Sequence, residues 1–122
     1  MPAKKLQKSI KPLKPQQKPR VSVVIPVYKP NPEIFKRVKE MLIKQTIKPE
    51  ILEIWNNPEA VSMNKGIKKA KGEIVITLAQ DCLPHGKDWL EKLISPLEDK
   101  NIVVSVSDLN LPEDFWRKEY NN

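Results

Sequence analysis

The sequence predicts an α/β domain, a mainly parallel sheet of about four strands with helices on both faces. Three observations lead there. Short β-branched runs alternate with amphipathic segments three times over. The first of these runs is too apolar for a strand wetted on one side, as expected where helices cover both faces. The connections are short, which in strand-helix-strand order implies right-handed crossovers.

The elements follow in chain order. Residues 1–20 carry seven Lys or Arg, no acid and four prolines, with Met1, Leu6, Ile10 and Leu13 as the only sizeable apolar side chains. Such a stretch cannot bury enough surface to offset the entropy of ordering. It reads as a disordered basic tail, leaving residues 21–122 as the domain. From Val21, V-S-V-V-I-P-V-Y is the first strand, ended by Pro26 and Pro30. Asn31-Pro32-Glu33 then supplies an N-cap, a proline at the first helical position and an early acid. Ile34, Val38, Met41, Leu42 and Gln45 give that helix its inward stripe.

I-L-E-I-W from Ile51 is the second strand, and Asn57-Pro58-Glu59 repeats the capping pattern. The next helix, with Ala60, Val61, Met63, Asn64, Ile67 and Ala70, stops at Gly72 as a C-terminal glycine. Residues 73–78 form the third strand, and Trp89, Leu90, Leu93, Ile94 and Leu97 mark a third helix. Residues 101–106 predict a fourth strand, and Phe115, Trp116 and Tyr120 a short final helix. Trp55, Trp89 and Trp116 occupy apolar positions and are expected in the core.

Composition narrows the function. The net charge of +7 suggests a nucleic-acid partner until it is located. Seven of the 22 cations lie in the tail, and the other 15 balance the 15 acids. The excess belongs to the tail, which also lacks aromatic residues for base stacking. Nucleic acid is therefore disfavoured, and the tail reads as a passive solubilising extension or a peripheral contact with an anionic membrane. No apolar run reaches the ~18–20 residues of a span, and the first 20 lack a signal peptide's apolar stretch. A cytoplasmic location is expected. A single cysteine, Cys82, excludes a disulfide scaffold.

Ligands of parallel sheets bind beyond the carboxyl ends of the strands, which selects the loops at residues 26–29, 56–57, 79–84 and 107–110. There, and along the elements that lead to them, V-S-V-V-I-P-V-Y, the spacing from Gln45 to Ile51, N-K-G-I-K-K-A-K-G-E from Asn64, and L-A-Q-D-C-L-P before D-W-L-E-K-L form a consistent series. It resembles the nucleotide-sugar-binding half of family 2 glycosyltransferases, a Rossmann-like half of the GT-A fold. The resemblance covers about Val21 to Leu97.

It implies inverting transfer of a sugar from a nucleotide-diphosphate donor to a glycan or lipid-linked acceptor, with Mg²⁺ or Mn²⁺ bridging the diphosphate. It also implies roles for individual residues. Pro26, Tyr28 and Asn56 would frame the base, with Asn56 where the family has an aspartate. Asn64 or Lys65 would lie near the phosphates. Asp81 would bind the metal, with Gln80 replacing the first acid of the D-x-D motif as in rhamnosyltransferase-like members. No catalytic base carries over. The same residues also suit a shortened binding module that needs a partner chain, or a second copy, for the acceptor half.

Plainer roles stand beside these. Asp81 could cap the helix that follows it. Cys82 and His85 lack the further ligands of a zinc site. Lys65, with Lys68, Lys69 and Lys71, could be one solvated helical face. Gly66 inside a helix costs about 1 kcal/mol relative to Ala, which points to close packing against a strand or a ligand.

Overall fold

Val21–Val27 forms β1, the middle strand, in a computed structural model that describes residues 19–108. It is followed by α1 (Pro32–Ile43), β2 (Glu50–Trp55), α2 (Glu59–Lys69), β3 (Ile74–Thr77), α3 (Trp89–Ile94) and a 3-10 turn (Ser95–Glu98). The sheet order is β2-β1-β3 and both pairings are parallel. The predicted class is the observed one, with three strands among the described residues. Residues 1–18 of the expected tail and the final helix expected after residue 110 lie outside them.

β1 explains the two-layered cover. Val21, Val23, Ile25 and Val27 enter one core with Phe35, Val38 and Leu42 of α1 and Leu90 and Ile94 of α3. Ser22 and Val24 face the other way, toward α2. There a Cβ on Gly66 would collide with Cγ1 of Val24 and stand 2.8 Å from Cγ2. Gly66 is therefore a packing glycine that lets α2 lie directly on the sheet.

Several local expectations are corrected. Residues 102–108 join no ladder, and Val103, Val104 and Val106 are 71 to 86% exposed. β-branched composition favours a strand only where neighbours pack on it, and no strand among the described residues does so here. Gly72 is not a C-cap, since α2 closes on Ala70 with its N–H on the Gly66 carbonyl. Gly72 instead passes against β1, where a Cβ would meet Ser22 N at 2.7 Å. Trp55 is half-exposed and packs edge-to-face on Phe35, ring centroids 5.8 Å apart. Phe35, absent from the expected stripe of α1, is buried, while Ile34 is exposed.

Asn31 caps α1 as expected, accepting from the N–H groups of Glu33 and Ile34 at 3.1 and 3.2 Å. Gln45 lies beyond the end of α1 and is fully buried. Its Nε2 donates to the carbonyls of Met41 (3.0 Å) and Gly86 (2.8 Å), and its Oε1 accepts from the Leu90 N–H (2.9 Å). One carboxamide thus fastens the end of α1 to the start of α3.

Pro26 sits inside β1 rather than ending it. The Arg20 and Val24 carbonyls accept from Ile74 (3.2 Å) and Leu78 (3.0 Å), so even-numbered residues of β1 address β3. The Val27 carbonyl accepts from Asn56 at 2.9 Å, so odd ones address β2. Pro26 therefore turns its missing donor toward an edge that β3 has already left, where proline is tolerated.

Two stability changes follow. Gln45→Leu leaves the buried Leu90 amide unpaired and removes the bonds to two part-buried carbonyls, so the urea midpoint should fall by the equivalent of about 1–3 kcal/mol, the cost of one stranded amide. Gly66→Ala gains about 1 kcal/mol of helix propensity but meets an overpacking cost of about 1–3 kcal/mol against Val24. A net loss of stability is expected in urea titration, and a gain would contradict the close approach.

Candidate functional site

All three strands run the same way, so their carboxyl ends open on one edge. A cleft of about 650 Å³ lies there, lined by Pro26 to Tyr28 after β1, Asn56 to Glu59 after β2 and Ala79 to Asp81 after β3. The first two of these loops turn sharply at their roots. Lys29 (φ +41°) and Asn56 (φ +61°) are both in the left-handed region, which asparagine enters readily and lysine at a cost of about 1–2 kcal/mol.

What holds Lys29 there is its neighbour's backbone. The Gln80 Oε1 accepts from the Tyr28 N–H at 2.8 Å, and its Nε2 donates to the Tyr28 carbonyl at 3.0 Å. Two such bonds contribute about 1 kcal/mol each, comparable with the strain at Lys29. The Tyr28 ring is exposed, and Lys29 Nζ lies 5.4 Å from its centroid.

The β2 side differs from the sequence expectation. Asn57 does not cap α2. Its Nδ2 donates to the Trp55 carbonyl (2.9 Å) and its Oδ1 accepts from Lys65 Nζ (3.2 Å). Pro58 occupies the N-cap position without a side-chain bond. The first-turn N–H groups of α2, which have no intrahelical acceptor, thus open toward the cleft that Pro58 and Glu59 line.

Of the residues singled out in the sequence, Pro26, Tyr28, Asn56, Gln80 and Asp81 share this cleft. Lys65 reaches its rim through Asn57. Asn64 is exposed on α2 and is not among the lining residues. Sequence reasoning missed Glu59, a second carboxylate on the wall. The signal was present, since Glu59 opens the helix that starts at the carboxyl edge.

Asp81 does not cap α3, which begins eight residues later behind Asp88. It stands exposed. The carboxylates that the wall offers a cation are Asp81 and Glu59. Among the described residues no three His, Cys, Asp or Glu side chains gather around a metal position. This donor set suits a hard cation that brings most of its ligands with it, as Mg²⁺ does when one or two carboxylates and substrate phosphate oxygens hold it.

Cys82, behind Asp81, has its thiol pushed up by burial and secondarily by the Asp81 charge. Alkylation by iodoacetamide at pH 8 should therefore be slower than for free cysteine, because the thiolate is the nucleophile. Asp81→Asn should speed it partway, and a wild-type rate equal to that of free cysteine would contradict this environment.

Comparison with protein families matches residues 51–121 to Glycosyl transferase family 2. The matched span takes in β2, α2, β3 and the Gln80-Asp81 loop. No match is found among curated proteins or solved structures. With more than half its length matched and the sheet edge built as described, the chain belongs to glycosyl transferase family 2.

Proposed function

We propose that the cleft binds a nucleotide-diphosphate sugar with a divalent metal, and that the domain transfers the sugar with inversion to a glycan or lipid-linked acceptor. The observation that carries this reading is the convergence of Tyr28, Asn56 and Asp81, from three separate strand ends, on one cleft of a size suited to a small ligand.

The chemistry distributes along that wall. The Asn56 carboxamide can accept a hydrogen bond from the donor's base without adding charge, and the Tyr28 ring offers a face beside it. The uncapped start of α2 presents N–H groups suited to phosphate oxygens. Lys65 and Lys29 bring positive charge to the same region. Asp81, with Glu59, would hold Mg²⁺ or Mn²⁺. When bound, the cation neutralises charge gathering on the departing diphosphate. The seven cations of the tail suit peripheral contact with an anionic bilayer, at about 1 kcal/mol each, which would bring the domain to a lipid-linked acceptor.

A second reading, donor binding with transfer completed only by a partner chain or second copy, is favoured by one feature. The outer edge of β3 is unpaired among the described residues, and Val75 within it and Val103 and Val104 after the 3-10 turn are exposed. These are surfaces that an acceptor half would cover.

Calorimetric titration of the full chain with UDP, GDP, TDP and their sugars, with and without Mn²⁺, tests the proposal. Nucleotide and metal are expected to bind together and Mn²⁺ alone weakly, because the protein supplies few of its ligands. Asp81→Ala should weaken nucleotide binding in Mn²⁺ by about tenfold or more, the scale of one lost charge-assisted contact. Silence across the panel would overturn both readings, and donor hydrolysis or transfer by the isolated chain would decide for the first.

A further inference from the structure

The hydrogen-bond ladder between β1 and β3 continues past the point where β3 stops. Its last backbone rung is Leu78 N–H to the Val24 carbonyl, 3.0 Å. The next even-numbered residue, Pro26, has no N–H to donate. At the one after, Tyr28, the partner is not a peptide of β3 but the side chain of Gln80, donating at 3.0 Å and accepting at 2.8 Å. A carboxamide has the donor and acceptor of a peptide unit, and this one fills the peptide's place across 52 residues of sequence.

We infer that Gln80 is a positioning residue, a latch that fixes the Tyr28–Lys29 turn as one wall of the nucleoside-diphosphate cleft without itself touching the ligand. The inference rests on the donor-site reading above. Each amide atom spends one of its two hydrogen-bonding positions on Tyr28, so the plane of the carboxamide is fixed by the turn it holds. The turn it holds includes the left-handed Lys29, which would otherwise relax toward ordinary backbone and carry the Tyr28 ring with it. Asp81 follows Gln80 directly, so the same side chain ties the metal-side loop to the base-side loop.

The chemistry separates a latch from a direct ligand. Gln80→Ala removes both bonds. Gln80→Glu keeps the shape and the acceptor but sets an ionised oxygen against the Tyr28 carbonyl. The test measures amide exchange at Tyr28 by NMR and titrates the full chain with UDP, GDP and TDP in Mn²⁺. Both variants should raise Tyr28 exchange by about tenfold and lower nucleotide affinity by a similar factor at neutral pH. Asp81→Ala should lose affinity while leaving Tyr28 protected.

Unchanged affinity in both Gln80 variants would overturn the inference, as would Tyr28 exchange equal to wild type. If Gln80→Ala lowers the urea midpoint, Gln80→Glu decides: faster Tyr28 exchange at an unchanged urea midpoint supports the latch, and exchange that rises only together with that of the core amides of β1 overturns it. A wild-type chain that binds none of the nucleotides removes the donor-site reading itself, whereas wild-type binding matched by both variants removes the latch alone.

Discussion

The burial of β1 on both faces is the constraint from which the rest of the structure is built. Val21, Val23, Ile25 and Val27 are at most 1% exposed, and Ser22 and Val24 are fully covered. A strand in that position must be central, must have helices on either side and must satisfy every polar group sideways through β2 and β3. The odd-numbered side chains collect α1 and α3 into one core. The even-numbered ones are small enough, with Gly66 and Gly72 opposite, to let α2 and its C-terminal connection come close. The cleft inherits its position from this arrangement, because covered faces leave only the strand ends free for a ligand.

Electrostatics within the cleft is a balance of near neighbours. Asp81 and Glu59 place two carboxylates on the wall, and Lys29 and Lys65 place two ammonium groups about it. An anionic diphosphate entering this region meets no overall attraction from the wall alone. The uncapped first turn of α2 and a cation carried by the ligand would tip the balance, each acting over a short range. The net charge of the whole chain says little here, since its excess lies in the first 20 residues.

Much of this was legible in the sequence, for identifiable reasons. The strand-helix alternation, the Asn31 cap and the loops at the carboxyl edge follow from periodicity and local capping chemistry, which act over a few residues. What escaped depends on partners distant in sequence. Asn57 has the right chemistry for a cap but bonds Trp55 and Lys65 instead. Gln45 looks like a tolerated polar residue on an apolar stripe, and its three partners, reaching as far as Leu90, appear only once α3 has docked. Residues 101–106 have strand composition but no neighbour to pair with in the described chain. Trp55 has core chemistry at a strand end that opens toward solvent. Gln80 stood out by its place in a motif, whereas its bonds to Tyr28 depend on a ladder that no local pattern encodes.

Pro26 also bears on how the chain finds its alignment. Sliding β3 one residue along β1 would turn Ile74 and Ile76 out of the core and Val75 into it, a change resisted by burial. Sliding it two residues toward the cleft would preserve the faces, so burial alone opposes that error less. In that arrangement the β3 carbonyl now opposite Val24 would stand opposite a residue with no proton to share. The proline that leaves a gap at the mouth of the cleft is thus also a stop, penalising a misalignment that hydrophobic patterning tolerates.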